Sequence, residues 1–358
     1  MNEYQIITLK RPLVLESGQQ LSAVEVGYTA IGNPQNPVVW ICHALTANAD
    51  PVAWWPGLVG PGKLFDPQEH YIVCANILGS CYGTTGPQSI DPATGEPWLQ
   101  RFPAITIRDM VQVHEQLRLQ LGIGRLHTLV GGSMGGQQAL EWAIESPEVT
   151  ERLVLLATHA KQSPWGIAFH EAQRLALQAD PSFAAGSDDA GKEGLRAARA
   201  IALLGYRNYQ AFQLTQQDAG PEVKANYRAA TYLRYQGEQL ANRFNAHAYY
   251  TLSRAMDSHH VGRGRQGIAN ALQRVAARTL VIGIASDILC PLTEQEFLAE
   301  YIPDAALAVV ESLYGHDGFL IEQDQLRQHI ANFLYRDALP YRPIRWREPQ
   351  VAQLASIH

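Results

Sequence analysis

The chain has 358 residues, 46% hydrophobic and 17% charged, with a formal net charge of −6. That is the composition of a globular protein, and without a Lys/Arg-rich run it argues against a nucleic-acid or anionic-membrane partner. The opening Met1-Asn2-Glu3-Tyr4-Gln5 lacks a basic-then-apolar leader, no apolar stretch reaches the roughly 18 residues of a membrane span, and Cys42, Cys74, Cys81 and Cys290 form no CxxC pair; the expectation is reduced thiols in a cytoplasmic protein.

Two segments, 5–15 and 21–31, flank the turn Glu16-Ser17-Gly18-Gln19-Gln20 and read as antiparallel strands. Short apolar runs follow at Val38–Ala44, Tyr71–Leu78, His127–Gly131, Arg152–Ala157, Thr279–Ile284 and Ala306–Val310. Continuous runs of this length suit strands buried on both faces, as in a parallel sheet. Between them, Ile107–Leu121 spaces its apolar residues as a helix and stops at Gly122, and Gly136–Glu145 is a second helix ahead of Pro147. Strands alternating with helices predict an α/β fold with a mostly parallel sheet. From about Lys161 to Val275 no buried-strand run occurs, and Ala, Leu, Gln and Arg dominate, as in Gly194–Leu204 and Tyr227–Phe244. The expected organisation is a core domain from 1–160 and 276–358 with a helical insertion at 161–275, a lid or a subunit interface.

Gly131-Gly132-Ser133-Met134-Gly135-Gly136 follows the apolar strand His127–Val130 and opens a helix. This is G-x-S-x-G in the strand–turn–helix setting of a nucleophile elbow, which points to the α/β-hydrolase fold with Ser133 as nucleophile. The turn is too sharp for side chains at the flanking positions, hence the glycines. The Met134 amide, at the helix N-terminus, is placed to receive a developing oxyanion. In this fold the serine is followed along the chain by an acid and then a histidine. Asp287, just past Thr279–Ile284, and His316, just past Ala306–Val310, fit that order and lie on the same rim of the sheet. A second oxyanion donor is expected from the loop Cys42–Asn48 after the strand Val38–Ile41. The pair His259-His260 lacks a carboxylate or thiol at zinc spacing, so no metal is expected.

The triad says acyl transfer without naming donor or acceptor. More specific are His43-Ala44-Leu45-Thr46, Gly79-Ser80-Cys81-Tyr82-Gly83-Thr84-Thr85-Gly86-Pro87, Phe102–Asp109, Tyr232-Leu233-Arg234-Tyr235-Gln236-Gly237 and Gly315-His316-Asp317. On these stretches and the elbow the chain resembles, over almost its whole length, the homoserine O-acyltransferases of the α/β-hydrolase superfamily. The resemblance implies Ser133, Asp287 and His316 as the triad, and the backbone amides of Leu45 and Met134 as the oxyanion hole. It implies Arg199 for the substrate carboxylate and Asp317 for its ammonium. It further implies acetyl transfer from acetyl-CoA to L-homoserine through an acyl-serine, supplying methionine biosynthesis, in a homodimer with no resident cofactor. Succinyl transfer, a serine acceptor, or plain ester hydrolysis are the alternatives. The chain departs from the family pattern at Asn245 and His260, where aspartate is common, and at Gln137, where methionine is frequent. A succinyl donor needs a cation or polar clamp for its second carboxylate. Gly131–Leu140 and His43–Trp55 contain no Lys or Arg, leaving Arg101 and Arg108 as the nearest upstream candidates.

Overall fold

Eight strands form one sheet in the computed structural model, which describes residues 4–185, 187 and 189–335. The outer ends of the expected core domain, 1–3 and 336–358, lie outside the described residues. In chain order the strands are β1 (Gln5–Thr8), β2 (Glu25–Ile31), β3 (Val38–Cys42), β4 (Tyr71–Ala75), β5 (Leu126–Gly132), β6 (Thr150–Leu156), β7 (Arg278–Ile284) and β8 (Ala305–Val310). They lie in the order β1-β2-β4-β3-β5-β6-β7-β8. The two antiparallel pairs are β1–β2 and β2–β4, and every other pairing is parallel. The chain is an α/β protein of the α/β-hydrolase fold, as its elbow predicts.

The apolar runs become central strands because alternate residues face two separate cores. Trp40, Val73, Leu129, Leu153 and Val281 pack on one side, and Val39, Ile41, Val130, Val154 and Ile282 on the other. On the first side Trp40 meets Trp142 edge to face at 5.1 Å, locking the helix Met134–Glu145 onto the sheet. The helix Ile107–Gln120 starts at Thr106, whose hydroxyl and the Asp109 carboxylate cap each other's backbone, and Gly122 (φ 71°) ends it. The first predicted strand is shorter than expected. β1 stops at Thr8 ahead of Lys10-Arg11-Pro12, and a small hairpin, Leu13–Val14 with Gln20–Leu21, fills the turn. A proline has no N–H for the ladder.

Between β6 and β7 the described residues form helices and no strand of the main sheet. The long ones are Pro164–Gln178, Lys192–Tyr206, Arg228–Ala241 and Ala246–Asp257. Among the described residues no helix is long and apolar enough to cross a membrane.

Candidate active site

The parallel register sets the site. Cys42 pairs with Gly131, Gly132 with Leu156, Leu156 with Ile282, and Val310 with Ile284. The loops after β3, β5, β7 and β8 therefore leave one rim side by side, and they carry Leu45, Ser133, Asp287 and His316 in turn.

Ser133 sits at φ 55°, ψ −124°, a strained conformation for a residue with a side chain. Close packing leaves the turn no alternative. A Cβ on Gly131 would lie 2.2 Å from the Gly135 oxygen, and one on Gly135 would lie 2.0 Å from the Cys42 oxygen. The strained residue is held from both ends, its N–H donating to Leu156 O (2.9 Å) and its C=O accepting from Thr158 Oγ1 (2.9 Å). Because Ser133 is the N-cap residue, the helix begins at Met134, two residues earlier than the apolar spacing predicts.

The structure brings the three predicted groups into one chain of hydrogen bonds. Ser133 Oγ lies 2.8 Å from His316 Nε2, and His316 Nδ1 lies 2.7 Å from Asp287 Oδ2. The other Asp287 oxygen accepts the amides of Leu289 (2.8 Å) and Cys290 (2.9 Å), which fixes the carboxylate. His316 and Asp287 are both buried. Burial alone would lower the His316 pKa, but the Asp287 carboxylate, with Asp317 further off, outweighs it and raises the pKa above the ordinary 6.5. Cys290 stands within ligand distance of the Asp287–His316 pair. Burial pushes its thiol well above the usual range, which opposes the thiolate a metal would need. Of the pair His259-His260, His259 is buried with Nε2 on the His159 carbonyl (3.1 Å), while His260 is exposed.

Ser133, Leu45, His316, Arg199, Asp317 and Tyr206 line a common cleft of about 290 Å³. Among the described residues the amides of Leu45 and Met134 donate no hydrogen bond. Arg199 projects from the helix Lys192–Tyr206 and lies over the Tyr206 ring (5.3 Å), whose centroid is 5.9 Å from that of His316. Its neighbour Arg196 is committed elsewhere, to Glu193 and, at 2.6 Å, to Glu238. Asp317 is partly engaged. Arg207 Nε lies 2.9 Å from its Oδ2, although the N–H is not aimed along that line.

Sequence reasoning missed Arg243, a second arginine lining this cleft. Its Nη1 reaches Thr46 O (2.5 Å) and Tyr82 Oη (2.9 Å). Its only sequence signal is membership of Arg243-Phe244-Asn245-Ala246, far from the elbow. The upstream candidates are absent from the cleft: Arg101 pairs with Asp91 (3.2 Å), and Arg108 pairs with Glu141 (2.9 Å) and Glu16 (3.0 Å). Of the departures, Asn245 caps the helix Ala246–Asp257 through the amides of His247 and Ala248, a task an aspartate could also perform. Gln137 is buried against Gln162.

The chain is similar to known proteins over most of its length. The alpha/beta hydrolase fold family matches residues 37–323. A homoserine O-acetyltransferase of Cyclobacterium marinum is 43% identical over 92% of this chain and 94% of its own. One of Trichormus variabilis is 44% identical over 90% and 91%. Among solved structures, esterase E22 superimposes with a TM-score of 0.84 at 25% identity, covering 93% of this chain and 99% of that one.

Proposed function

The chain belongs to the homoserine O-acetyltransferase family, and from that membership we propose that it transfers an acetyl group from acetyl-CoA to the hydroxyl of L-homoserine. The observation that carries the proposal is the Ser133–His316–Asp287 chain in a cleft that also presents Arg199 and Asp317. An amino-acid acceptor is a zwitterion and needs a partner of each sign. The Arg199 guanidinium suits its carboxylate and Asp317 its ammonium. Simple ester hydrolysis requires neither.

Ser133 Oγ attacks the thioester carbonyl as its proton passes to His316 Nε2. The amides of Leu45 and Met134 receive the oxyanion. The C–S bond breaks and CoA leaves with the proton from His316. The homoserine hydroxyl then gives its proton to His316 and attacks the acetyl-serine. The Ser133 ester bond breaks, the proton returns to Oγ, and O-acetyl-homoserine departs. Asp287 keeps the imidazole in the required tautomer and stabilises the imidazolium. Atoms and charge balance with no resident cofactor or metal, acetyl-CoA being consumed as co-substrate. The product is an activated precursor suited to methionine synthesis, and we place the enzyme in the cytoplasm as a homodimer.

Two measurements test this reading. With acetyl-CoA alone, mass spectrometry should find one acetyl group on Ser133, and initial-rate plots at several homoserine concentrations should be parallel. Intersecting lines with no adduct favour direct transfer. Esterase E22 supplies the rival: if free acetate forms equally fast with and without homoserine, the enzyme is a hydrolase.

A further inference from the structure

The loop after β3 carries a side chain that this mechanism leaves unused. His43 is fully buried, at 0% exposure. Its Nε2 faces the Ile77 N–H at 3.2 Å and must accept from it. The ring proton therefore sits on Nδ1, which donates to Ala44 O at 2.8 Å. Burial holds the His43 pKa down at about 4, so this neutral tautomer persists near pH 7.

Ala44 O belongs to the peptide unit whose N–H is that of Leu45. A trans peptide is planar, with its C=O and N–H pointing in opposite directions. Two donors hold this oxygen, His43 Nδ1 and the Ala47 amide at 3.0 Å. Holding the oxygen fixes the direction of the Leu45 N–H. Hydrogen bonds to the C=O also polarise the amide and strengthen its N–H as a donor. Other anchors of this loop act on other peptide units: Asn76 Oδ1 on the Ala49 amide (2.7 Å) and Arg243 on Thr46 O (2.5 Å).

We infer that His43 is a positioning residue of the oxyanion hole, aiming and polarising the Ala44–Leu45 peptide toward the tetrahedral oxygen on Ser133. The inference rests on the proposed reading that Ser133 is acylated, but not on the identity of donor or acceptor. Both half-reactions pass through a tetrahedral intermediate in the same hole, so both should suffer equally. A residue that only bound CoA or homoserine would affect one of them.

The test uses p-nitrophenyl acetate as a plain acyl donor and methylboronic acid as a tetrahedral adduct of Ser133. His43→Phe should slow acylation and deacylation by the same factor, about 10- to 10²-fold, below the loss of roughly 10²–10³ for deleting a donor outright. KM should stay within about twofold, and the methylboronic acid Kd should rise in step with the rate loss. His43→Asn, which keeps an N–H donor, should recover most of the loss. Wild-type rates in both folded variants, or a loss confined to one half-reaction, overturn the inference. In the unaltered protein, nitrogen NMR should find His43 protonated on Nδ1 between about pH 6 and 8, and the Leu45 amide proton should move downfield on boronate binding. An Nε2-protonated ring overturns the inference even if His43→Phe does not fold. Ser133→Ala is the control: if it turns over the ester at the wild-type rate, the proposed reading fails instead.

Discussion

The rim of the sheet and the inserted helices place their functional groups by different means. At the rim, Ser133, Asp287 and His316 stand on short loops that follow strands of the sheet, and the backbone sets their mutual distances of 2.7–2.8 Å. On the insertion, Arg199 reaches the cleft from the helix Lys192–Tyr206 and Arg243 from the turn between Arg228–Ala241 and Ala246–Asp257, both on long side chains. Bond-making depends on main-chain geometry that the fold cannot relax without unpacking its core. On the proposed reading the choice of acceptor depends on side-chain reach, which a few substitutions can redirect. Changes at the rim should therefore abolish both half-reactions together, and changes on the insertion should separate them.

The largest effect tests the rim half of that contrast. Ser133→Ala should cut turnover by about 10⁶-fold while leaving the fold intact, because it deletes one hydroxyl. Near-normal activity in the purified variant would remove Ser133 from the mechanism. Asp287→Asn should cost about 10⁴-fold in kcat. It should also move the acid limb of the pH–rate profile. His316 must be neutral to act as base, and Asp287 is the main group that raises its pKa above 6.5. In the unaltered enzyme activity should fall as pH drops through a midpoint above 6.5, and in Asp287→Asn that midpoint should move down. A midpoint that does not move would detach Asp287 from the titration of His316.

Arg199→Ala tests the other half. A charge-assisted hydrogen bond contributes about 1.5–3 kcal/mol, so transfer to homoserine should slow by about 10- to 10²-fold while acylation by the CoA thioester is spared. Stopped-flow measurement of each half-reaction decides. If acylation slows as much as transfer, Arg199 does not hold the acceptor, and the division of labour between rim and insertion fails with it.

The two regions were also unequally legible from sequence. The strands were readable because burial on both faces demands an uninterrupted apolar run, as in Val38–Cys42. The triad was readable because chain order and strand ends constrain where an acid and a histidine can meet the elbow. Arg243 was not, since only the packing of the inserted helices carries it to Thr46, 197 positions away. His43 was passed over for a different reason. An oxyanion donor is a backbone group, so the sequence does not point to its neighbour's side chain, yet that side chain bonds the peptide proposed to supply the donor. The offset at Met134 is of the same kind, because periodicity cannot see where an elbow caps its helix.

Donor choice probes the boundary between the two regions, with a smaller expected effect. kcat/KM for acetyl-CoA should exceed that for succinyl-CoA by at least about tenfold, because a second carboxylate entering the cleft must find an uncommitted cation. Arg101 and Arg108 are committed to carboxylates outside the cleft. Arg199 is assigned to the acceptor, and Arg243 Nη1 is engaged by Thr46 O and Tyr82 Oη. A higher value for succinyl-CoA would reverse the assignment and identify Arg243 as the clamp, with Arg243→Met as the check.

The smallest catalytic effect should come from the outer surface of the insertion. Leu204, Tyr209, Leu214, Tyr227 and Tyr235 are 51%, 76%, 68%, 49% and 57% exposed, and all lie within residues 204–235. Scattered exposed apolar residues need no explanation, but five large ones within 32 consecutive positions (204–235) suit a subunit contact. If that contact is between two copies of the chain, light scattering at micromolar concentration should give a dimer mass. Leu214→Asp combined with Tyr209→Ser should shift the mass toward the monomer, because a buried unpaired carboxylate opposes association. None of these five residues lines the cleft, so the dissociated variant should keep kcat within about twofold, surface changes away from a site being near neutral. A monodisperse monomer in the unaltered protein would contradict the dimer. A large loss of kcat on dissociation would instead mean that the partner stabilises the helix carrying Arg199, and selecting the acceptor would then be a property of the pair of subunits.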